Sequence, residues 1–316
     1  MDEFDLPNLK RPDRRAILAI CGGGFAGLFA AEVLVQLEAT VERPLHEAFD
    51  LIAGTSVGGL LALGLADGQP AQKLSDLLAE VGPELFGYPR LGALKPKHGR
   101  APLEKAADAL FEGRLLSDLK THVLIPAVDM TQARTVVFRD APADPFSRMK
   151  IRDAALATSA APFFLPPHKI GSRLFADGGL AANSPEALAA SEAVNVLSWP
   201  AERTDLLVIG STSAPARVSG HELDLAWGGA EWLKEGKGLA LAMRAQMTLA
   251  RETAESILGP GRVTVIDVEL TPKEAEVISI DKATYNAAKA LRTLGENAFD
   301  GFERAHLALL DRLRHG

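Results

Sequence analysis

Cysteine is almost absent from this 316-residue chain: Cys21 stands alone, so no internal disulfide can form and the chain suits a reducing compartment. A basic surplus is missing too. The net charge is −7, with 34 Lys and Arg against 41 Asp and Glu, which argues against a nucleic-acid partner. Any attraction to an anionic membrane must then come from a local patch. The N-terminus, MDEFDLPNLKRPDRR, has no signal-peptide core, and no stretch approaches the roughly 18 apolar residues of a membrane span. Asp, Glu and His are not clustered at metal-ligand spacing, so neither a metal nor another cofactor is expected. Linkers, repeats and low-complexity tracts are lacking, so residues 1–316 read as one domain in the cytoplasm.

What is present is the material of a globular core: 47% hydrophobic and 24% charged residues. Ala16–Cys21 reads as a buried strand that stops abruptly at Gly22-Gly23-Gly24, and helical spacing follows from Phe25 to Ala39. FDLIAG is a second apolar strand, and it runs into Gly54-Thr55-Ser56-Val57-Gly58 before the apolar run LLALGLA. Two successive strands joined by one helix place both turns on the same edge of a parallel sheet, where α/β folds bind ligands. Further along, Thr121–Val128 and Arg134–Phe138 form an expected antiparallel pair, and Ile151–Ser159 an amphipathic helix. Lys169–Phe175 has the pattern of a tight hairpin delivering Asp177-Gly178-Gly179, and Ser184-Pro185 reads as a capped helix start. Strands are expected at 206–210 and 262–268, and long helices at about 229–258 and 283–314. The fold class is α/β.

The pentapeptide around Ser56 has the form of a nucleophile elbow: a serine thrust outward at a strand-to-helix turn, with Gly54 and Gly58 clearing the way for the backbone. A plain surface turn is the alternative. Gly22-Gly23-Gly24-Phe25-Ala26-Gly27 meets G-x-G-x-x-G, so a dinucleotide site is a rival reading, as is a loop kept for close packing. The dinucleotide reading needs an acid ending the next strand, but Glu42 sits in a turn beside Arg43-Pro44. The third reading is an oxyanion hole built from the N–H groups of Gly22, Gly23, Gly24 and Phe25.

None of His46, His98, His122, His168, His221, His306 and His315 ends a strand in a glycine-rich turn, so a Ser–His–acid triad finds little support. Asp177 follows a strand and precedes two glycines. It is either an ordinary Asp-Gly turn or a base acting on Ser56 without histidine. Gly82–Pro102 reads as a long irregular segment with Arg90, Lys95, Lys97 and Arg100 and no acid between Glu84 and Glu104. It is either a solvated basic loop or a membrane-facing lip carrying Phe86, Tyr88 and Leu91.

GGGFAG, GTSVG and DGG, in that order, with Ala157–Pro167 and Leu180–Pro185, resemble the patatin-like phospholipases over roughly residues 14 to 212. That resemblance implies a three-layer α/β/α fold with a mostly parallel central sheet and a Ser56–Asp177 dyad. It also implies an oxyanion loop at Gly22–Phe25, with Gly27, Gly54, Gly58, Gly178 and Gly179 as motif glycines. Two positions depart from the family pattern: Cys21 where Asp is frequent, and Ala26 where Arg or Lys is frequent. Cys21 reads as a small buried strand residue. A narrower likeness lies in ILAICGGGFAGLFAAEVL and in Trp227–Trp232 before a long helix. These resemble bacterial phospholipases switched on by cyclic nucleotides in antiphage defence. That subgroup implies a membrane phospholipid substrate at the inner face and a cyclic di- or trinucleotide activator; Arg244, Gln246 and Arg251 on the long helix read either as the lining of a nucleotide pocket or homo-oligomer interface or as a solvated helix face.

Overall fold

The computed structural model describes residues 14–87, 96–212 and 237–315. Arg90, Lys95, Tyr88, Leu91, His221 and Trp227–Trp232 therefore lie outside the described residues.

A mixed sheet of eight strands carries the fold. At its centre β1 (Arg15–Ile20) lies parallel to both β2 (Leu51–Gly54) and β7 (Thr204–Ile209), and β8 (Val263–Ile266) extends the parallel part beyond β7. Alternation along β1 divides the core. Leu18 and Ile20 join one apolar cluster, and Ile17, Ala19 and Cys21 join another on the opposite face. The first face is covered by α1 (Gly27–Val41), α3 (Val57–Ala66), α4 (Ala71–Phe86) and α11 (Tyr285–Ala305). The second is covered by α8 (Glu186–Ser191) and α9 (Lys237–Leu258). The three-layer arrangement follows from that alternation, since a strand buried on both faces needs a helical layer on each.

On the other side of β2 the next strand is still parallel, and the sheet turns antiparallel beyond it. β3 (His122–Asp129) pairs along one edge with β4 (Arg134–Arg139), from Leu124↔Arg139 to Asp129↔Arg134. Its other edge is shared. β2 occupies the start, as far as Ala53↔Leu124, and β6 (Arg173–Asp177) occupies the end, at Ala127↔Asp177. β2 and β6 thus run head to head and stop on either side of Ile125 and Pro126. Proline is rare in a central strand because it has no N–H to donate. Here the Pro126 carbonyl turns away from β4 and accepts from Thr158 Oγ1 at 2.7 Å. In a strand the nitrogen faces the same edge as its carbonyl, so the missing N–H costs the β3–β4 ladder nothing.

Several sequence expectations need revision. Gly24–Val41 is long and apolar enough to cross a membrane by length and composition, although no such stretch was expected. It is 67% buried within the fold, and α1 packs between α4 and α11, which is why it is apolar nearly all round. α4 runs on through Pro83 to Phe86, so Gly82–Phe86 is helical rather than the start of the expected irregular segment. Burial of Leu85 and contacts of Phe86 with the core outweigh the one hydrogen bond that Pro83 removes. Ser184 does not cap α8: its hydroxyl goes to Glu186 and Cys21 instead. The terminal helical stretch breaks at His306 into α11 and α12 (Leu307–His315).

Candidate active site

Ser56 stands between β2 and α3 with φ +56° and ψ −127°, a conformation costly for a residue bearing a β-carbon. Its surroundings over-determine it. Ser56 N–H donates to Thr158 Oγ1 at 3.0 Å, Thr55 N–H to Ile20 O at 3.2 Å, and Thr55 Oγ1 to Ala182 O at 2.6 Å. α3 begins so close to the end of β1 that a β-carbon on Gly58 would collide with the Ile20 carbonyl. The serine hydroxyl is consequently aimed at one place. Ser56 Oγ donates to Asp177 Oδ2 at 2.7 Å.

Asp177 ends β6, and the head-to-head meeting of β2 and β6 is what brings the two side chains together. The other carboxylate oxygen accepts from Gly179 N–H at 2.7 Å, and Asp177 N–H donates to Ala160 O at 2.9 Å. Asp177 is only 4% exposed. Burial pushes its carboxyl up to about 6, while the Ser56 and Gly179 hydrogen bonds pull in the opposite direction. Among the described residues no histidine takes part. His98 pairs with Asp281, His122 with Asp140 and His168 with Asp153, all away from Ser56.

The glycine loop adjoins the serine closely: a β-carbon on Gly22 would sit 3.2 Å from Ser56 Cβ. Its four amides are not equivalent. Gly22 N–H donates to Asn183 O at 2.9 Å and Phe25 N–H to Ile280 O at 2.8 Å. Neither is free to hold an oxyanion in this structure, which corrects the expectation for those two residues. Gly23 and Gly24 N–H have no protein acceptor among the described residues. Gly24, at φ +56°, leaves no room for a side chain because Ile280 lies directly on it. Ile280 belongs to a segment tied down by Asp281, whose carboxylate accepts from Lys97 and from His98 Nε2 at 3.3 Å.

Ser56, Gly24 and Phe25 open onto an apolar cavity of about 660 Å³, counted with the open space at its mouth. Leu60, Leu78, Val81, Leu85, Phe86 and Leu103 line it, with Ile280 at the glycine-loop end. Phe86 therefore faces inward, edge-on to His98, rather than forming an outer lip. Lys97 is held by Asp281, and Arg100 is bound to Glu104 and Pro167 O.

Thr158 and Asn183 were given no role from the sequence, although both stand in its quoted blocks. Thr158 braces the elbow. Asn183 holds Gly22 from both sides, its carbonyl accepting from Gly22 N and its Nδ2 donating to Gly22 O at 3.3 Å. Gln246 is drawn into the same support: its Oε1 accepts from Asn183 N at 2.7 Å and its Nε2 donates to Leu180 O at 3.3 Å. Arg251 Nε donates to Glu186 at 3.2 Å, and Arg244 lies near enough to Asp267 to favour its ionised form. Arg244, Gln246 and Arg251 thus share α9, and none of them lines the cavity at Ser56. Cys21 is buried against Ser184 at 3.1 Å, and burial pushes its thiol far up.

A sequence model of the patatin-like phospholipases matches residues 18–190. The chain is 36% identical to a cGAMP-activated phospholipase of Pseudomonas aeruginosa, with 95% of each chain covered. It is 31% identical to a cGAMP-activated phospholipase of Vibrio cholerae, with 88% of each covered. Among solved structures, VipD from Legionella pneumophila aligns with a TM-score of 0.45 at 12% identity, covering 91% of this chain and 67% of that one. With Ser56 hydrogen-bonded to Asp177 inside the matched region, the chain belongs to the patatin-like phospholipase family.

Proposed function

We propose that the protein is a serine acyl hydrolase that cleaves membrane phospholipid acyl esters, working peripherally at the inner face of the membrane. The observation that carries this reading is the 2.7 Å hydrogen bond from Ser56 Oγ to Asp177 Oδ2 at the mouth of an apolar cavity. Ser56 Oγ attacks the ester carbonyl carbon as its proton passes to Asp177 Oδ2. A carboxylate of ordinary pKa is a weak base for a hydroxyl, and burial brings Asp177 to about 6, closer to the working pH. The N–H groups of Gly23 and Gly24 receive the oxyanion, each donor being worth about 3 kcal/mol in the transition state. The leaving alcohol takes the proton from Asp177, and an acyl-enzyme remains. Water then gives a proton to Asp177 and attacks the acyl carbon, and Ser56 recovers its proton as the fatty acid leaves.

The reading extends to activation by a cyclic nucleotide. Its support is twofold: the relatives are named cGAMP-activated phospholipases, and of the two glycine-loop amides that the chain itself occupies, Phe25 N–H is held by Ile280 O. While Ile280 O holds Phe25 N–H, the loop offers two donors; displacement of Ile280 adds a third. Hydrolysis of a phospholipid reporter, lost in Ser56→Ala and in Asp177→Asn while both variants remain folded, tests the chemistry. Activity surviving in Ser56→Ala would refute it. A panel of cyclic di- and trinucleotides tests activation, and stimulation by none of them would leave an unregulated lipid hydrolase.

A further inference from the structure

The cavity at Ser56 does not end the apolar space. Beyond it, between α3, α4 and α5 (Ala101–Phe111), lies a second, narrower apolar cavity of about 380 Å³, counted with its open space. Every residue lining it is leucine, valine or alanine. Leu60, Leu78, Val81 and Leu103 line both cavities, so the partition is four aliphatic side chains with no polar group among them. Such a space holds no water gladly, since water needs polar partners, and its walls forgo the dispersion contacts that a filled core would give. A polar ligand is excluded by the same lining.

We propose that the second cavity is a subsite for the distal part of a long, unbranched acyl chain. The proposal rests on the reading of Ser56 as the nucleophile. The ester carbonyl sits at Ser56, the first methylenes fill the cavity beside Phe25 and Leu85, and the tail crosses the leucine partition into the space lined by Leu74, Leu77 and Ala106. The enzyme then selects for chain length. Each methylene moved from water into this space raises kcat/KM about fourfold until the second cavity is full. An enzyme with only the first cavity would level off at shorter chains.

Ala106 is half-buried on α5 and lines the second cavity but not the first, so Ala106→Leu shortens the far end alone. The assay is kcat/KM for 4-nitrophenyl esters from butanoate to palmitate, in the activated state where an activator is found. Wild type is expected to gain through the longest chains. Ala106→Leu, which displaces about three methylenes, is expected to lower the ratio of palmitate to butanoate activity about 60-fold. Calorimetric titration of Ser56→Ala with octanoate and palmitate reads the same preference without turnover, and adding Ala106→Leu should remove the advantage of palmitate. Identical length profiles and identical palmitate binding with and without Ala106→Leu, in variants with wild-type melting temperatures, would overturn the subsite. Hydrolysis that persists in Ser56→Ala would instead overturn the catalytic reading, while the binding titration would still judge the cavity.

Discussion

Replacing Asp177 by asparagine should abolish hydrolysis and yet make the fold more stable at neutral and alkaline pH. The carboxyl is raised from 3.8 to about 6 by burial at 4% exposure. A folded-state pKa above the unfolded one means that the folded protein binds the proton more tightly. Its contribution is fully present below about pH 4 and is lost as pH rises through about 6, above which the buried charge costs about 3 kcal/mol. Asparagine is uncharged at every pH. Its Oδ1 keeps the bond from Gly179 N–H, and its Nδ2 faces the Ser56 hydroxyl, which can turn and accept. At pH 8 the variant should therefore gain about 3 kcal/mol, about 5 °C in melting temperature for a chain of this length. At pH 4 it should gain almost nothing.

The same titration has a kinetic face with the opposite value to the enzyme. Only ionised Asp177 accepts the proton of Ser56, so wild-type kcat/KM should fall tenfold per pH unit below about 6. The protein thus tolerates a destabilising charge where catalysis needs it. Melting curves of wild type and Asp177→Asn at pH 4 and pH 8, beside the pH–rate profile of wild type, test both faces together. A variant less stable than wild type at pH 8, or a stabilisation of equal size at the two pH values, would refute the reasoning.

Two further perturbations probe the supports of the dyad. Thr158→Val keeps the shape of the side chain but leaves Ser56 N–H and Pro126 O without their partner, which should cost about 1–3 kcal/mol of stability. It should also lower kcat more than KM, because the strained elbow loses its brace; unchanged kinetics would show that the elbow holds itself. Asp281→Asn weakens the clamp to Lys97 and His98 that keeps Ile280 over the glycine loop. Taking the partly exposed ion pair at about 1 kcal/mol, basal hydrolysis without nucleotide should rise about fivefold. A basal rate equal to wild type would mean that the Ile280 segment does not restrain the loop.

The local pieces were legible because each has a short-range cause. An apolar run ending at Gly22, a second ending at Gly54, and one helix between them require two turns on one sheet edge, and β1 and β2 pair in that way. Asp177 could be singled out because the hairpin before it and the glycines after it mark a strand end. The distance between Ser56 and Asp177 could not be read. It depends on β6 taking over the edge of β3 two residues after β2 leaves it, a register fixed by β3, whose own run THVLIPAV reads only as a strand containing an awkward proline. Pro126 was the trace of that handover, since a proline fits where the edge has no neighbour to receive its N–H.

Residues that act through backbone groups left even less in the sequence. Gly22 and Phe25 belong to the glycine loop as plainly as Gly23 and Gly24 do, yet what separates them is the position of two carbonyls, Asn183 O and Ile280 O, far along the chain. No side chain encodes either acceptor, so composition and spacing are silent about which amides stay free. Gln246 shows the converse. A polar residue on a long helix reads equally well as a ligand contact or as a brace, and only its two bonds to Asn183 and Leu180 decide. Those bonds tie α9 to the turn that follows Asp177, and Asn183 ties that turn to Gly22. A shift of α9 would therefore reach both halves of the site at once, through the hydrogen bonds of Asn183.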